Sequence, residues 1–150
     1  MSEFPPNFSL AELTRSERAT REGIPNDPTA LHKANLAALA WRILQPLRDG
    51  LGVPIKVTSG YRSPLLNSKT PGSSATSQHS AGEAADLVSA DNKAMFDYIR
   101  EHLPFDQLIF EFGSDKQPDW VHVSYRAVKQ RGIVLRAVKK GGKTIYQPYK

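Results

Sequence analysis

Leu36, Leu39, Ile43 and Leu47 recur every three to four residues, a spacing that predicts the buried face of a long helix. Its start is read at Asp27-Pro28, because Asp caps a helix and Pro at the first helical position gives up no needed N–H. Pro46 and Gly50 predict that this helix distorts or ends there. A second helix is predicted to follow a cap at Asp91, with Met95, Phe96, Ile99 and Leu103 on its apolar face and Pro104 closing it. Upstream, Ser9 as a cap and Glu12 at the third helical position mark a short helix within an N-terminal arm over residues 1–25. Alternating positions predict strands. Val53 to Thr58 is one, after its proline. Gln107–Phe112 and Trp120–Tyr125 form a hairpin candidate, and Ile133–Val138 and Thr144–Tyr146 form another around Gly141-Gly142. Ser59 to Pro64 reads as a turn, and residues 67–78, rich in Ser, Thr, Gly and Pro, as an exposed loop. Helices come early and antiparallel pairs late, so the expected class is α+β.

With 150 residues and neither a repeat nor a linker, a single domain over 1–150 is expected. Twenty Lys and Arg against fifteen Asp and Glu leave a net charge of +5, and the excess is late. Arg126, Lys129, Arg131, Arg136, Lys139, Lys140, Lys143 and Lys150 follow His122 with no acidic residue among them, giving a basic C-terminal hairpin over 126–150. Such a tail suits nucleic acid, an anionic wall or a membrane surface, or is a strand edge whose lysines oppose aggregation. Its only aromatics are Tyr146 and Tyr149, so no nucleic-acid partner is expected. No cysteine is present, which excludes disulfides and thiolate ligands. No stretch is apolar enough to span a bilayer, and Met1 to Pro6 lacks the pattern of a signal peptide, so synthesis in the cytoplasm is expected.

The candidate chemistry lies in three side chains. His79 and Asp86 stand seven residues apart in Ser77-Gln78-His79-Ser80-Ala81-Gly82-Glu83-Ala84-Ala85-Asp86, and His122 follows Trp120-Val121. Two imidazoles and one carboxylate are the ligand set of a hydrolytic zinc centre (one Zn2+) that keeps a fourth position for water. Gly82 breaks any helix between the first two, so His79 is placed on a loop and Asp86 on or beside a strand. Hydrolysis also needs a general base, and two carboxylates compete. If Phe112 pairs with Asp119, alternation puts Glu111 and His122 on one face and turns Asp119 away. Arg62, after the turn, is a candidate to bind a substrate carboxylate or carbonyl and to stabilise an oxyanion. Trp120 either walls the cleft or packs in the core.

The pattern Ser77-x-His79-x-x-Gly82-x-Ala84-x-Asp86 with Trp120-x-His122 resembles the M15 family of zinc D,D-peptidases, which includes D-Ala-D-Ala carboxypeptidases, dipeptidases and phage endolysins. Ser59-Gly60-Tyr61-Arg62-Ser63-Pro64 and Phe105-Asp106-Gln107-Leu108-Ile109 are similar to its phage and prophage branch, and the likeness extends over residues 8–146. It implies a Hedgehog/DD-peptidase-like fold, a small antiparallel sheet with helices packed on one side. It implies His79, Asp86 and His122 as metal ligands, Arg62 as the electrophilic partner and Ser77 as a substrate hydrogen-bond donor. It also implies Asp119 as the first candidate for the base, from the family's acidic-x-x-His pattern, with Glu111 the second. The expected substrate is the peptide stem of peptidoglycan, cut by a monomeric enzyme that reaches the cell wall or periplasm after release and is phage or prophage encoded. An L-Ala-D-Glu endopeptidase, or a zinc-bearing wall-binding or phage assembly module without catalysis, are the alternatives.

Overall fold

The computed structural model describes residues 2–150. The N-terminal arm carries two short helices, α1 (Leu10–Thr14) and α2 (Glu17–Glu22), capped by the hydroxyls of Ser9 and Ser16. The arm is not peripheral, for Phe8 and Leu13 are buried in the main core. The long helix starts two residues later than its sequence signal. Thr29, not Asp27, accepts from the His32 N–H and caps α3 (Ala30–Leu39). It runs through a π-helical turn (Ala40–Leu44) into α4 (Gln45–Leu51), which ends at Gly52. The widened turn lies directly before Pro46, whose ring and missing N–H disfavour a regular α-turn there. The helix therefore distorts at Pro46 but continues through Gly50. A Cβ at Gly50 would strike the Tyr98 phenol, so that glycine lets α4 lie against the later helix that carries Tyr98.

Strand β1 (Lys56–Ser59) is followed by a helical turn that the loop-like sequence conceals, α5 (Pro64–Ser68), capped by Ser63. A single 3-10 turn (Gln78–Ala81) leads into β2 (Ala84–Val88). Asp91 caps α6 (Asn92–His102), and Met95, Phe96 and Ile99 face inward. Strands β3 (Gln107–Glu111), β4 (Trp120–Ser124), β5 (Ile133–Lys140) and β6 (Lys143–Pro148) complete the chain.

The six strands form one sheet in the order β1-β2-β4-β3-β5-β6. Every pair is antiparallel except β3 and β5, which run parallel, so the sheet is mixed. On one face, Val57, Ala85, Leu87, Val121, Val123, Leu108 and Phe110 meet Leu36, Leu39, Ile43 and Leu47 of the long helix and Met95, Phe96 and Ile99 of α6. Burying side chains of this size stabilises by about 1.5–3 kcal/mol each, which makes this face the main support of the fold. The opposite face carries Asp86, His122, Glu111 and Trp120 by strict alternation. No helix among the described residues is long and apolar enough to cross a membrane.

Candidate metal centre and its surroundings

Asp86 and His122 are directly opposite each other on β2 and β4. The His122 Nδ1 lies 3.1 Å from Asp86 Oδ1, and the His79 Nε2 lies 3.5 Å from the same oxygen. One nitrogen or oxygen from each of the three residues falls within 4.8 Å of the other two. The two imidazole rings meet edge to face with centroids 5.2 Å apart. Burial alone would raise the Asp86 carboxyl, but the charge of His79 and hydrogen bonds from both imidazoles outweigh it. They hold that group well below the usual carboxylate range. An anion kept ionised between two imidazoles is what a divalent cation requires.

His79 sits on the 3-10 turn and is almost fully buried. Its Nδ1 is 2.7 Å from the Gly60 carbonyl oxygen, so Nδ1–H donates there and Nε2 is turned toward Asp86. The turn itself is fixed from several sides. Asn35 donates to the Ala81 carbonyl at 2.8 Å, and the Arg62 N–H donates to the His79 carbonyl at 3.1 Å. Gln78 donates to Asp106 at 3.1 Å. Gly82 closes the turn with φ +73°, and a Cβ there would run into the His32 carbonyl. Its role is steric, as is that of buried Ala84. On the other side of Asp86 the β1–β2 register slips between Val57 and Ser59, a bulge that bends the strand beside that carboxylate.

Glu111 lies on the same sheet face as His122 and is buried. Its carboxylate accepts no hydrogen bond from any described side chain or backbone N–H. Burial pushes it up to about 7; a charged His122 draws it down, and Asp86 pushes it further up. Asp119 is exposed, and its backbone N–H donates to the Glu111 carbonyl at 2.8 Å. Alternation with Trp120 directs the Asp119 side chain away from His122. Trp120, opposite Glu111, is half-buried, and its ring packs on Phe112 with centroids 5.3 Å apart.

Arg62 is half-buried; burial lowers its guanidinium from the usual value, and the nearby Asp86 carboxylate offsets only part of that. Its Nη2 donates to Ser77 Oγ at 3.4 Å, while its Nε is buried without a partner. The Ser77 hydroxyl also accepts from the His79 N–H, so it caps the turn. A cavity of about 650 Å³ lies beside Arg62, lined also by Arg15, Lys56, Ser59 and Tyr61. His32 is half-buried with its Nδ1 3.3 Å from the Tyr61 hydroxyl. Ser124 is buried and accepts from the Gln107 N–H, tying two strands together without touching a ligand.

Gly60, Asn35 and Asp106 were not singled out by sequence for a role at the site. A carbonyl oxygen and a buried amide leave no pattern. Asp106 stands in the Phe105-Asp106-Gln107 block, which marked it without revealing that it anchors Gln78.

An imidazole from the 3-10 turn joins an imidazole and a carboxylate on the sheet face, with an unpaired carboxylate beside them, a donor set of the kind that metal-dependent hydrolases use. Residues 6–124 match the family model Peptidase M15, and the chain belongs to that family of peptidases. No curated protein matches the chain.

Proposed function

We propose that the protein is a zinc peptidase acting on the peptide stems of bacterial peptidoglycan, as a D-Ala-D-Ala carboxypeptidase or a murein endopeptidase. The observation that carries this reading is the convergence of His79, Asp86 and His122 within 4.8 Å. The donor set fits zinc. His79 Nε2, Asp86 Oδ1 and His122 Nδ1 would hold it, and three protein ligands leave a position for solvent or substrate. When bound, zinc supplies Lewis-acid polarisation of a carbonyl and acidification of water at neutral pH.

The remaining work falls to side chains of the chain itself. Glu111 takes a proton from the water whose oxygen attacks the scissile carbonyl carbon. When the C–N bond breaks, Glu111 returns that proton to the leaving amine, so the products are a carboxylate and an amine. Glu111 is preferred to Asp119 because β-sheet alternation places it on the face of His122. Arg62, which lines the cavity beside the turn, binds a carboxylate or carbonyl oxygen of the substrate. Family membership supports the peptidase class, and the resemblance to D,D-peptidases supports the choice of substrate.

Zinc content and muropeptide release measured side by side test this reading. His122→Ala should lose zinc and activity together. Glu111→Gln should retain zinc and lose turnover by about 10²–10⁴-fold. Asp119→Asn should retain both. Full turnover in Glu111→Gln with an inactive Asp119→Asn would move the base to Asp119. Stoichiometric zinc without any muropeptide release from the wild type would favour a non-catalytic wall-binding or assembly module. Masses of the released fragments name the bond, separating D,D cleavage from L-Ala-D-Glu cleavage.

A further inference from the structure

The family match ends at residue 124, yet the chain continues into β5, which joins the sheet beside the strand that carries Glu111. One row of the sheet crosses four strands as Trp120, Glu111, Ala137 and Tyr146, all on the face of His122. Ala137, between Glu111 and Tyr146, offers only a methyl group. Two strand spacings separate Glu111 from Tyr146, about 10 Å between backbones. A phenol leaning across an alanine spans most of that gap.

Tyr146 is 53% exposed, and its hydroxyl bonds to no described residue. Burial, and then the charges of Glu111 and Asp86, push its phenol upward, so it stays a protonated donor at neutral pH. The hairpin that presents it is anchored. Tyr149 packs on Phe96 and Phe110 with centroids 4.8 Å and 5.6 Å apart, and Arg136 pairs with Asp115 at 2.7 Å. The Lys139 ammonium lies 5.4 Å from the centre of the Phe112 ring, which in turn packs on Trp120. An aromatic side chain on a hairpin anchored in this way, largely open to solvent and on the face of the candidate base, has no evident structural duty.

We propose that Tyr146 contacts the substrate, donating a hydrogen bond from its phenol to a carbonyl oxygen of the bound peptide on the Glu111 side of the metal centre. The inference rests on the peptidase reading. Arg62 bounds the site from the β1–β2 side and Tyr146 from the β6 side, so the peptide crosses the ligand row between them. The C-terminal hairpin is then a wall of the active site.

The test compares Tyr146→Phe and Ile145→Ala with wild type, reading kcat and KM on a purified disaccharide-pentapeptide, zinc content and Tm. Ile145 alternates onto the opposite face of the same strand. Tyr146→Phe should lower kcat/KM about 3–10-fold, the worth of one neutral hydrogen bond, with zinc and Tm unchanged and Ile145→Ala like wild type. Wild-type kinetics in Tyr146→Phe, a loss of zinc or Tm in it, or an equal loss in Ile145→Ala overturns the proposal. A second measurement separates it from the peptidase reading. The dissociation constant of the same muropeptide is taken by calorimetry for zinc-loaded Glu111→Gln with and without Tyr146→Phe. If the wild type cleaves nothing, the peptidase reading fails by itself. Three- to tenfold weaker binding in the double variant (about 3–10-fold, as for kcat/KM) still supports the Tyr146 contact, whereas equal binding or none overturns it.

Discussion

Asp106 shows how much one buried carboxylate organises around itself. Its side chain is fully buried and takes hydrogen bonds from the Arg131 N–H, Nε and Nη2 and from Gln78, the nearest at 2.7 Å. Burial pushes its carboxyl up, but the bonds from Arg131 and Gln78 outweigh that and hold it below its usual range. A depressed carboxylate contributes stability that is fully present above its unfolded pKa, about 4, and is lost as pH falls through the lower folded value. Asp106→Asn should therefore cost about 2–3 kcal/mol at neutral pH and flatten the fall of Tm below about pH 4. Thermal melts of both proteins between neutral and strongly acidic pH check this; an unchanged acid slope in the variant would assign the effect to other carboxylates. Because Gln78 immediately precedes His79, loosening Asp106 should also weaken zinc binding. Glu111 and Asp119 make a different point. They lie on either side of a hairpin turn, and one step of alternation decides which shares the sheet face of His122.

At the scale of elements, the short turn Gln78–Ala81 carries the most function on the fewest residues. It is too short to hold itself, so its geometry comes from Gly60, Asn35, Arg62 and Asp106 around it. Gly82→Ala should strain the positive φ and drive a methyl into the His32 carbonyl. The expected cost is about 1–3 kcal/mol, with zinc affinity falling more than in a surface Gly→Ala control such as Gly72→Ala, where φ is also positive but the space is open. Equal losses in the two variants would leave backbone strain alone and remove the close approach as a cause. Such elements also mark what the sequence could show. Leu36, Leu39, Ile43 and Leu47 announced a buried face, and Ser9 and Asp91 announced caps, because those signals are local. The cap at Thr29 was displaced from Asp27 because several nearby residues can all serve. The helix Pro64–Ser68 was hidden because one turn is too short for periodicity. The parallel pairing of β3 with β5 depends on contacts distant in sequence, which no local pattern encodes. The three converging residues His79, Asp86 and His122 were legible as residue types at characteristic spacing. The carbonyl that orients His79 was not, since every residue has one.

For the whole molecule, the basic tail is less free than its composition suggests. Arg126 and Arg131 reach Asp106, and Arg136 reaches Asp115, so internal carboxylates engage three of its eight cations. Those pairs tie the last strands to the sheet, while Lys129, Lys140 and Lys143 remain exposed. The tail is thus partly a brace, and its exposed positive charge rests mainly on its lysines. Because His79 comes from a turn after a long loop, Asp86 from β2 and His122 from β4, a bound ion would join segments that the unfolded chain keeps apart. Binding energy then appears as folding stability. At zinc about a thousandfold above its dissociation constant the gain is about 4 kcal/mol, or about 8–16 °C in Tm for a chain of this size. Stripping the metal with a chelator should lower Tm by that amount, and zinc should restore it. Magnesium should not, because the imidazole nitrogens suit zinc far better than a hard oxygen-seeking ion. His122→Ala supplies the decisive comparison. It leaves the apolar face of the sheet intact, so it should fold with a Tm near that of the stripped wild type and respond little to zinc. A zinc-induced rise in His122→Ala as large as in the wild type would place the ion elsewhere, on other donors of the chain.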